Sequence, residues 1–259
     1  MPHENQANSK RRIAIVTGGS RGLGRNTVVS LAGRGVDVIL TYHSNKAEAE
    51  SAVAEIEALG AAAVAIQLDT GNTASFDAFV ADVRQALTGL GRTDFDYLVN
   101  NAGTSHHASI AETTEEDFDG LVNVHLKGVF FLTQKLLPVM ADGGRIINLS
   151  SGLARFSIPG SSAYAAMKGA IEVFTRYLAK ELGPRGITAN TVAPGAIMTD
   201  FSGGVVRDNP VVNKMVSDMT ALGRPGVADD IGPMIASLLS DDNRWVNGQR
   251  IEVSGGALL

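Results

Sequence analysis

A tyrosine and a lysine four positions apart, Tyr164 and Lys168, form the residue pair best suited to chemistry. They fall in a stretch with helical spacing, where residues four apart lie on one face. An ammonium beside a phenol favours the phenolate and lowers the phenol pKa from its usual value of about 10. Such a phenol could exchange a proton with a substrate oxygen. A single Tyr-x-x-x-Lys could equally be an ordinary helical pair, so its meaning depends on what surrounds it.

A second stretch, Ile13 to Gly24, could bind a phosphate. Apolar residues at 13–16 predict a buried strand, and glycines at 18, 19, 22 and 24 separate it from a helical pattern. A glycine-rich turn allows close backbone approach, and the helix N-terminus directs unpaired N–H groups at an anion. The spacing is T-G-x-x-x-G-x-G, not the usual dinucleotide fingerprint G-x-G-x-x-G. The turn alone could also be a tight connection that binds nothing.

Alternating strands and helices must position these residues. Apolar runs predict strands at 13–16, 36–41, 61–68, 97–100, 145–149, 187–192 and 250–253. Helical patterns predict helices at 23–34, 45–59, 73–90, 114–140, 163–182 and 228–240. This alternation is typical of an α/β protein with a doubly wound parallel sheet of about seven strands and helices on both faces.

Composition narrows the function classes. The 259 residues are 44% hydrophobic and carry a net charge of −5, which favours a buried core and gives no basic surface for nucleic acid. There is no apolar run long enough to span a membrane and no cysteine for thiolate chemistry. The polar start lacks the apolar centre of a secretory signal, so we expect a cytoplasmic protein with a flexible arm at 1–11 and one catalytic domain at 12–259.

The segment at about 196–226 is rich in glycine and proline but also in apolar residues, including Phe201, Val211 and Met215. It follows the sixth predicted strand, and ligands of such sheets bind at the carboxyl ends of the strands. The sequence therefore favours a substrate lid here over a subunit contact, and predicts that the segment is irregular.

Taken together, five ordered motifs resemble the short-chain dehydrogenase/reductase family. They are TGGSRGLG, Asn100-Asn101-Ala102-Gly103, Ser151 with Tyr164 and Lys168, the stretch from Pro194 to Thr199, and the glycines near the C-terminus. The resemblance spans about residues 12–259 and points to the 3-oxoacyl-carrier-protein reductase and glucose dehydrogenase group. It implies a three-layer Rossmann fold and hydride transfer between a nicotinamide cofactor and a carbonyl or secondary alcohol.

The same resemblance implies roles for individual residues. Tyr164 would be the general acid/base, Lys168 would lower its pKa and hold the cofactor ribose, and Ser151 would hydrogen-bond the substrate oxygen. The implied cofactor contacts are Gly18, Ser20, Arg21, Gly22, Leu23, Gly24, Tyr42, His43, Ser44, Asp69, Asn101, Ala102, Gly103, Tyr164, Lys168, Pro194, Gly195, Ile197 and Thr199.

One position departs from the family pattern. In a run like V-N-L-K-G the family carries an asparagine that helps to hold a water in a proton relay, but here His125 occupies that position. Asn123 lies about 200° away around a regular helix and could not replace it. His125 could keep the relay through its ring or carbonyl, or it could be a packed helix residue in a weak or inactive cofactor-binding homologue that acts as a sensor or scaffold.

The predicted cofactor is NADP(H), with NAD(H) also usable. No acid follows the second strand to bind a ribose 2′-hydroxyl, and by resemblance Tyr42 stands where NAD-using relatives carry aspartate. Arg21 in the glycine turn suits a 2′-phosphate, with Ser20, Ser44 and Asn45 adding neutral hydrogen bonds. The alternative is that Arg21 is a solvated surface residue.

The remaining expectations concern partners. His106 and His107 lack further ligands at zinc spacing, so no metal is predicted and the pair is assigned to the mouth of the site or to an exposed loop. Arg155 could meet an acidic substrate group, although a solvated loop arginine is favoured. The resemblance implies a homotetramer that acts on a small-molecule carbonyl or alcohol, without nucleic acid or membrane partners.

Overall fold

Seven parallel strands form one sheet in the computed structural model, which describes residues 11–259. The expected arm lies outside these residues except for Arg11, whose Nη1 donates to the Gly60 carbonyl at 2.6 Å. The strands are β1 (Ile13–Val16), β2 (Asp37–Tyr42), β3 (Ala63–Gln67), β4 (Phe95–Asn100), β5 (Met140–Leu149), β6 (Thr188–Pro194) and β7 (Arg250–Val253). Their order, β3-β2-β1-β4-β5-β6-β7, is that of a doubly wound sheet and confirms the predicted fold class.

Nine helices are found in the described part of the chain. They are α1 (Gly22–Ala32), α2 (Lys46–Ala58), α3 (Phe76–Gly89), α4 (Glu115–Val122), α5 (Gly128–Leu136), α6 (Ser162–Glu181), α7 (Val205–Asp208), α8 (Pro210–Asp218) and α9 (Gly232–Leu238). Thr114 caps α4 by accepting from the Asp117 N–H at 3.1 Å, and three acidic residues in the first turn suit the helix dipole.

Two predicted elements were wrong in detail. The long helix expected at 114–140 is interrupted by a wider turn, Asn123–Lys127, in which the Gly128 N–H reaches back five residues to the Asn123 carbonyl. Strand β5 begins at Met140, before the apolar run that signalled it, because Met140 already pairs with Phe95 of β4; the register then shifts before Arg145 pairs with Tyr97.

The sheet separates two apolar cores, and alternation along β1 shows why. Ala14 and Val16 pack with α1, α2 and α9, whereas Ile13 and Ile15 pack with α3, α5 and α6. Successive side chains of a strand point to opposite faces, so an unbroken apolar run is what a sheet covered on both sides requires.

A buried row of polar side chains joins the sheet to its helices. Asn100 donates through Nδ2 to Thr133 Oγ1 (3.1 Å) and Asn148 Oδ1 (2.8 Å), and Asn148 donates to Thr175 Oγ1 at 2.9 Å. These buried polar groups are hydrogen-bonded to one another, so their burial leaves none of them without a partner. The hydrogen bonds fix β4 and β5 against α5 and α6. The first amide of the NNAG motif thus braces the sheet.

The insertion after β6 is more regular than predicted. It contains α7 and α8, and Asn209 caps α8 by accepting from the N–H groups of Val211 and Val212. Ser202, Gly203 and Gly204 all have positive φ, which turns the chain sharply before α7. Through residues 11–259, no helix combines the length and the apolar character needed to cross a membrane.

Candidate active site

The fold brings the three expected catalytic side chains together at the carboxyl end of β5. Ser151 follows that strand, and α6 carries Tyr164 and Lys168 on adjacent turns. The Lys168 ammonium donates to the Leu149 carbonyl at 2.7 Å and lies 5.4 Å from the Tyr164 ring centroid. This end of the sheet adjoins the point between β1 and β4 where the strand order reverses, which is where ligands bind in such folds.

Burial controls the protonation of this group. It raises the pKa of the Tyr164 phenol above its ordinary value of 10, and interaction with the Ser151 hydroxyl opposes the rise only in part. The expected lowering of the Tyr164 pKa by Lys168 is not found: desolvation of the phenolate dominates, and the opposing influence comes from Ser151. Burial also lowers the pKa of Lys168 to about 8. At neutral pH the phenol therefore holds its proton and is a donor.

His125 lies directly behind Tyr164. The two rings meet edge to face at 5.2 Å, and only 1% of His125 is exposed. Its Nε2 is 2.8 Å from the Thr104 carbonyl, whereas its Nδ1 is buried without a hydrogen-bond partner. Burial, with Lys168 nearby, lowers the His125 pKa to about 3, so the ring is neutral. Nε2 faces both backbone groups of Thr104, the carbonyl at 2.8 Å and the N–H at 3.3 Å, and we assign it the proton because the contact with the carbonyl is the shorter.

Local backbone geometry makes room for this imidazole. A Cβ on Gly103 would lie 2.8 Å from His125 Cε1, so only glycine fits there without displacing the ring. The wide turn at Asn123–Lys127 also changes residue spacing, and the 200° separation expected for Asn123 does not apply across it.

The glycine turn is braced by groups from β1 and β4. Thr17 Oγ1 accepts from the N–H groups of Asn101 and Ala102, both at 3.0 Å. Asn101 Nδ2 in turn donates to the carbonyls of Thr17 (2.8 Å) and Gly18 (3.2 Å). The Asn101 amide thus holds the turn in shape. The hydroxyl of Thr17 is a functional group that sequence reasoning left out of the site, although its place in the TG motif could have signalled it.

The turn fits a dinucleotide phosphate. A Cβ on Gly24 would collide with the Gly18 carbonyl and lie 2.6 Å from Asn101 Nδ2, so close packing requires glycine. Gly22 has φ +55°, and its open side meets nothing nearer than Thr199 Cβ at 3.8 Å. The turn therefore leaves an open space beside its backbone, at the N-terminus of α1, where an anion would bind. The structure also brings Thr199 to this turn, as the resemblance implied.

The remaining residues that the resemblance implies as cofactor contacts occupy different environments. His43 and Asp69 lie side by side on the surface, with Nε2 and Oδ2 3.9 Å apart. Arg21 and Ser44 are exposed as well, whereas Ser20 is buried. Other expected contacts are partly buried in the walls of the same region, namely Gly18, Leu23, Ala102, Gly195 and Ile197, while Gly103 is exposed and Pro194 is buried.

Tyr42 is not free to extend into the cofactor region. Its side chain belongs to the apolar core on the α2 side and lines a cavity with Lys46, Glu50 and Val53 of that helix. Only 9% of the residue is exposed. A contact between Tyr42 and a 2′-phosphate would therefore involve only the small part of the residue that is exposed.

The two loop histidines contact different helices. His106 Nδ1 lies 3.5 Å from Asp117 Oδ1 of α4, and His107 Nδ1 lies 3.4 Å from the Ser161 hydroxyl just before α6. Within residues 11–259 no three His, Cys, Asp or Glu side chains are grouped to hold a metal ion. The pair joins the loop after β4 to the helices that border the site.

This chain is similar to known oxidoreductases over nearly its whole length. A family profile described as enoyl-(acyl carrier protein) reductase matches residues 18–257. The 3-oxoacyl-[acyl-carrier-protein] reductase FabG of Staphylococcus aureus is 37% identical over 96% of this chain and 98% of its own.

Solved structures agree with this match. The promiscuous reductase LugOII, which catalyses keto-reduction at C1 during lugdunomycin biosynthesis, has a TM-score of 0.91 and 39% identity over 97% of this chain and 100% of its own. The landomycin C-6 ketoreductase LanV, solved with bound NADP and rabelomycin, has a TM-score of 0.87 and 35% identity over 95% and 96%. The profile, the relatives and the Rossmann-type sheet together show that this chain belongs to the short-chain dehydrogenase/reductase family.

Proposed function

We propose that this oxidoreductase is an NADPH-dependent ketoreductase. The observation that carries the proposal is the group of Ser151, Tyr164 and Lys168 beside a glycine turn that fits a dinucleotide phosphate. The protonated Tyr164 phenol can act as the general acid that carbonyl reduction requires at neutral pH. LugOII catalyses keto-reduction and LanV is a ketoreductase, and the similarity of this chain to both supports reduction of a carbonyl.

Each catalytic side chain has one task in this proposal. A reduced nicotinamide cofactor, held at the glycine turn, would supply the hydride for the carbonyl carbon. Tyr164 Oη donates its proton to the carbonyl oxygen, and the Ser151 hydroxyl donates a hydrogen bond to the same oxygen as negative charge develops there. Lys168, whose ammonium is fixed by the Leu149 carbonyl, stabilises the phenolate that results.

We infer that the substrate is an apolar ketone and that residues 196–226 form its lid. Phe201 is 44% exposed, and its ring centroid lies 6.1 Å from that of Tyr164. Val205, Val211 and Met215 of α7 and α8 also present exposed side chains. An apolar molecule would cover these surfaces while its carbonyl meets Tyr164.

A panel of apolar ketones and of free sugars, assayed with NADPH and NADH, tests the function. Turnover of apolar ketones with NADPH is expected. The second candidate, a cofactor-binding sensor or scaffold, is favoured by one observation, the replacement of the family asparagine by the buried His125. Binding of NADPH without turnover of any panel member would support that candidate and contradict the reductase.

Changing Arg21→Ala is expected to raise the KM for NADPH about tenfold while the KM for NADH changes less than about twofold. The Arg21 side chain is exposed at the start of α1, and it makes no hydrogen bond to the other described residues, so its donors are available to a 2′-phosphate. Steady-state kinetics with both cofactors measure the effect. Arg84→Ala, which removes an exposed arginine from α3, is the matched control. Equal kcat/KM for the two cofactors in the unmodified protein would contradict the proposed preference.

A homotetramer is expected, with a mass about four times that of one chain by light scattering at micromolar concentration. The helices α5 and α6 expose Phe130, Phe131, Val173 and Tyr177, which form an apolar surface suited to a second copy. Leu132 and Leu136 of α5 do not contribute to this surface, since both are buried in the core. A monomeric mass would refute this proposal.

A further inference from the structure

Four charged side chains form a continuous ladder beside Ser151. Glu172 of α6 accepts from Arg250 Nε at 2.6 Å, and Arg250 Nη1 donates to Glu252 at 2.9 Å. Glu252 then binds Arg155 through two hydrogen bonds of 2.7 and 2.8 Å. We call Glu172, Arg250, Glu252 and Arg155 the charge ladder. Its charges alternate and sum to zero, so each ion has an opposite partner.

Three of the four ladder side chains are largely shielded from solvent, whereas Arg155, at one end, is 40% exposed. The side chains of Glu172, Glu252 and Arg250 are only 15%, 18% and 23% exposed. Hydrogen bonds from Arg155 and Arg250 hold the pKa of Glu252 at about 2, well below its usual range. Arg155 is an exposed loop arginine, as the sequence favours, but its guanidinium is engaged with Glu252 and the Ala257 carbonyl and is not free for an acidic substrate group.

The ladder holds the backbone around Ser151 at several points. Arg250 Nη2 donates to the Ser151 carbonyl at 3.2 Å, and the Ser150 hydroxyl donates to Glu172 at 2.7 Å. Arg155 also donates to the Ala257 carbonyl at 2.7 Å, which joins the turn after β5 to the C-terminal segment. These contacts link that turn to α6, the helix that carries Tyr164.

We propose that the charge ladder is a positioning device for Ser151, holding its hydroxyl in register with the Tyr164 phenol. The inference rests on the proposed ketoreductase function, because the task of Ser151 is to bind the carbonyl oxygen. Arg250 is the central positioning residue, since it alone contacts two acids and the Ser151 backbone. Small displacements of a group that binds the reacting oxygen have large effects on rate.

The test is a double-mutant cycle with Arg250→Met and Ser151→Ala, assayed on an apolar ketone with NADPH. In the unmodified background, Arg250→Met is expected to lower kcat about tenfold with the dissociation constant of NADPH unchanged. In the Ser151→Ala background it should lower kcat less than about twofold, because the group that it positions is gone. Arg176→Met removes an exposed arginine of α6 that binds only its own helix backbone and is the matched control. Equal losses in both backgrounds would overturn the proposal.

Amide hydrogen exchange provides a readout that does not need turnover. Arg250→Met is expected to increase exchange in the segment 151–156, where the Ala154 and Phe156 amides donate within the turn, but not in β1 or α3. Arg176→Met should leave it unchanged. Unaltered exchange at 151–156 in Arg250→Met would refute the ladder's role, whereas increased exchange in a protein that reduces no ketone would refute only the proposed function.

Discussion

Replacing Tyr164 with phenylalanine is expected to lower kcat for ketone reduction about 10³-fold, within the range typical of a lost general acid. The substitution removes only the hydroxyl, so the ring keeps its contacts with His125 and Phe201. Ser151 can still hydrogen-bond the carbonyl oxygen, but no group remains that transfers a full proton to it. Residual turnover would then depend on water.

Binding of NADPH by this variant should be nearly unchanged, which fluorescence titration would measure. Tyr177→Phe makes the same chemical change on the same helix at a side chain that is 63% exposed, and it should retain full activity. A Tyr164→Phe protein with more than a tenth of the normal kcat would show that another group donates the proton, and the assigned mechanism would be wrong.

Local sequence patterns were enough to predict the sheet. The apolar runs of β1 and β2 needed no knowledge of their neighbours, because a strand covered on both faces is largely apolar. The Tyr164 and Lys168 pair was predicted for the same reason, since helical spacing alone puts the two on one face.

Contacts between distant residues were not predictable in this way. Arg155 and Glu252 are 97 positions apart, and no pattern near Arg155 indicates its partner. The start of β5 is similar, because Met140 pairs with the distant Phe95 and the polar and glycine residues that follow it leave no apolar signal. The sequence predicts a lowered pKa for Tyr164 because its proximity to Lys168 can be inferred from spacing. Burial, which raises the pKa instead, depends on the whole fold.

His125 shows where sequence and structure together lead further than either. The sequence identifies it as a departure from the family pattern and left open a relay or a packing role. The structure favours positioning over a relay through the ring, because Nε2 is engaged with Thr104 and the low pKa keeps the imidazole neutral. Thr104 lies in the loop after β4. In the same loop the Ala108 N–H donates a hydrogen bond to the Gly160 carbonyl, just before α6. We propose that His125 fixes this loop and the Tyr164 ring.

Changing His125→Phe is therefore expected to lower kcat about 30-fold, or about 2 kcal/mol in activation free energy, because the loop and the Tyr164 ring are no longer held in place. The ring that packs against Tyr164 is retained, so the loss reports on the hydrogen bond. The shape of the kcat profile between pH 6 and pH 9 should not change, because a group with a pKa of about 3 does not titrate there. Lys168 loses its proton above its pKa of about 8, so kcat is expected to fall on the alkaline side of the profile. This fall should persist in the variant.

His125→Asn is the matched comparison, because its amide can still donate to a carbonyl. It should recover part of the activity lost in His125→Phe. If His125→Phe instead removed an ionisation from the dependence of kcat on pH, the imidazole would be carrying protons. The relay hypothesis for His125 would then replace the positioning hypothesis.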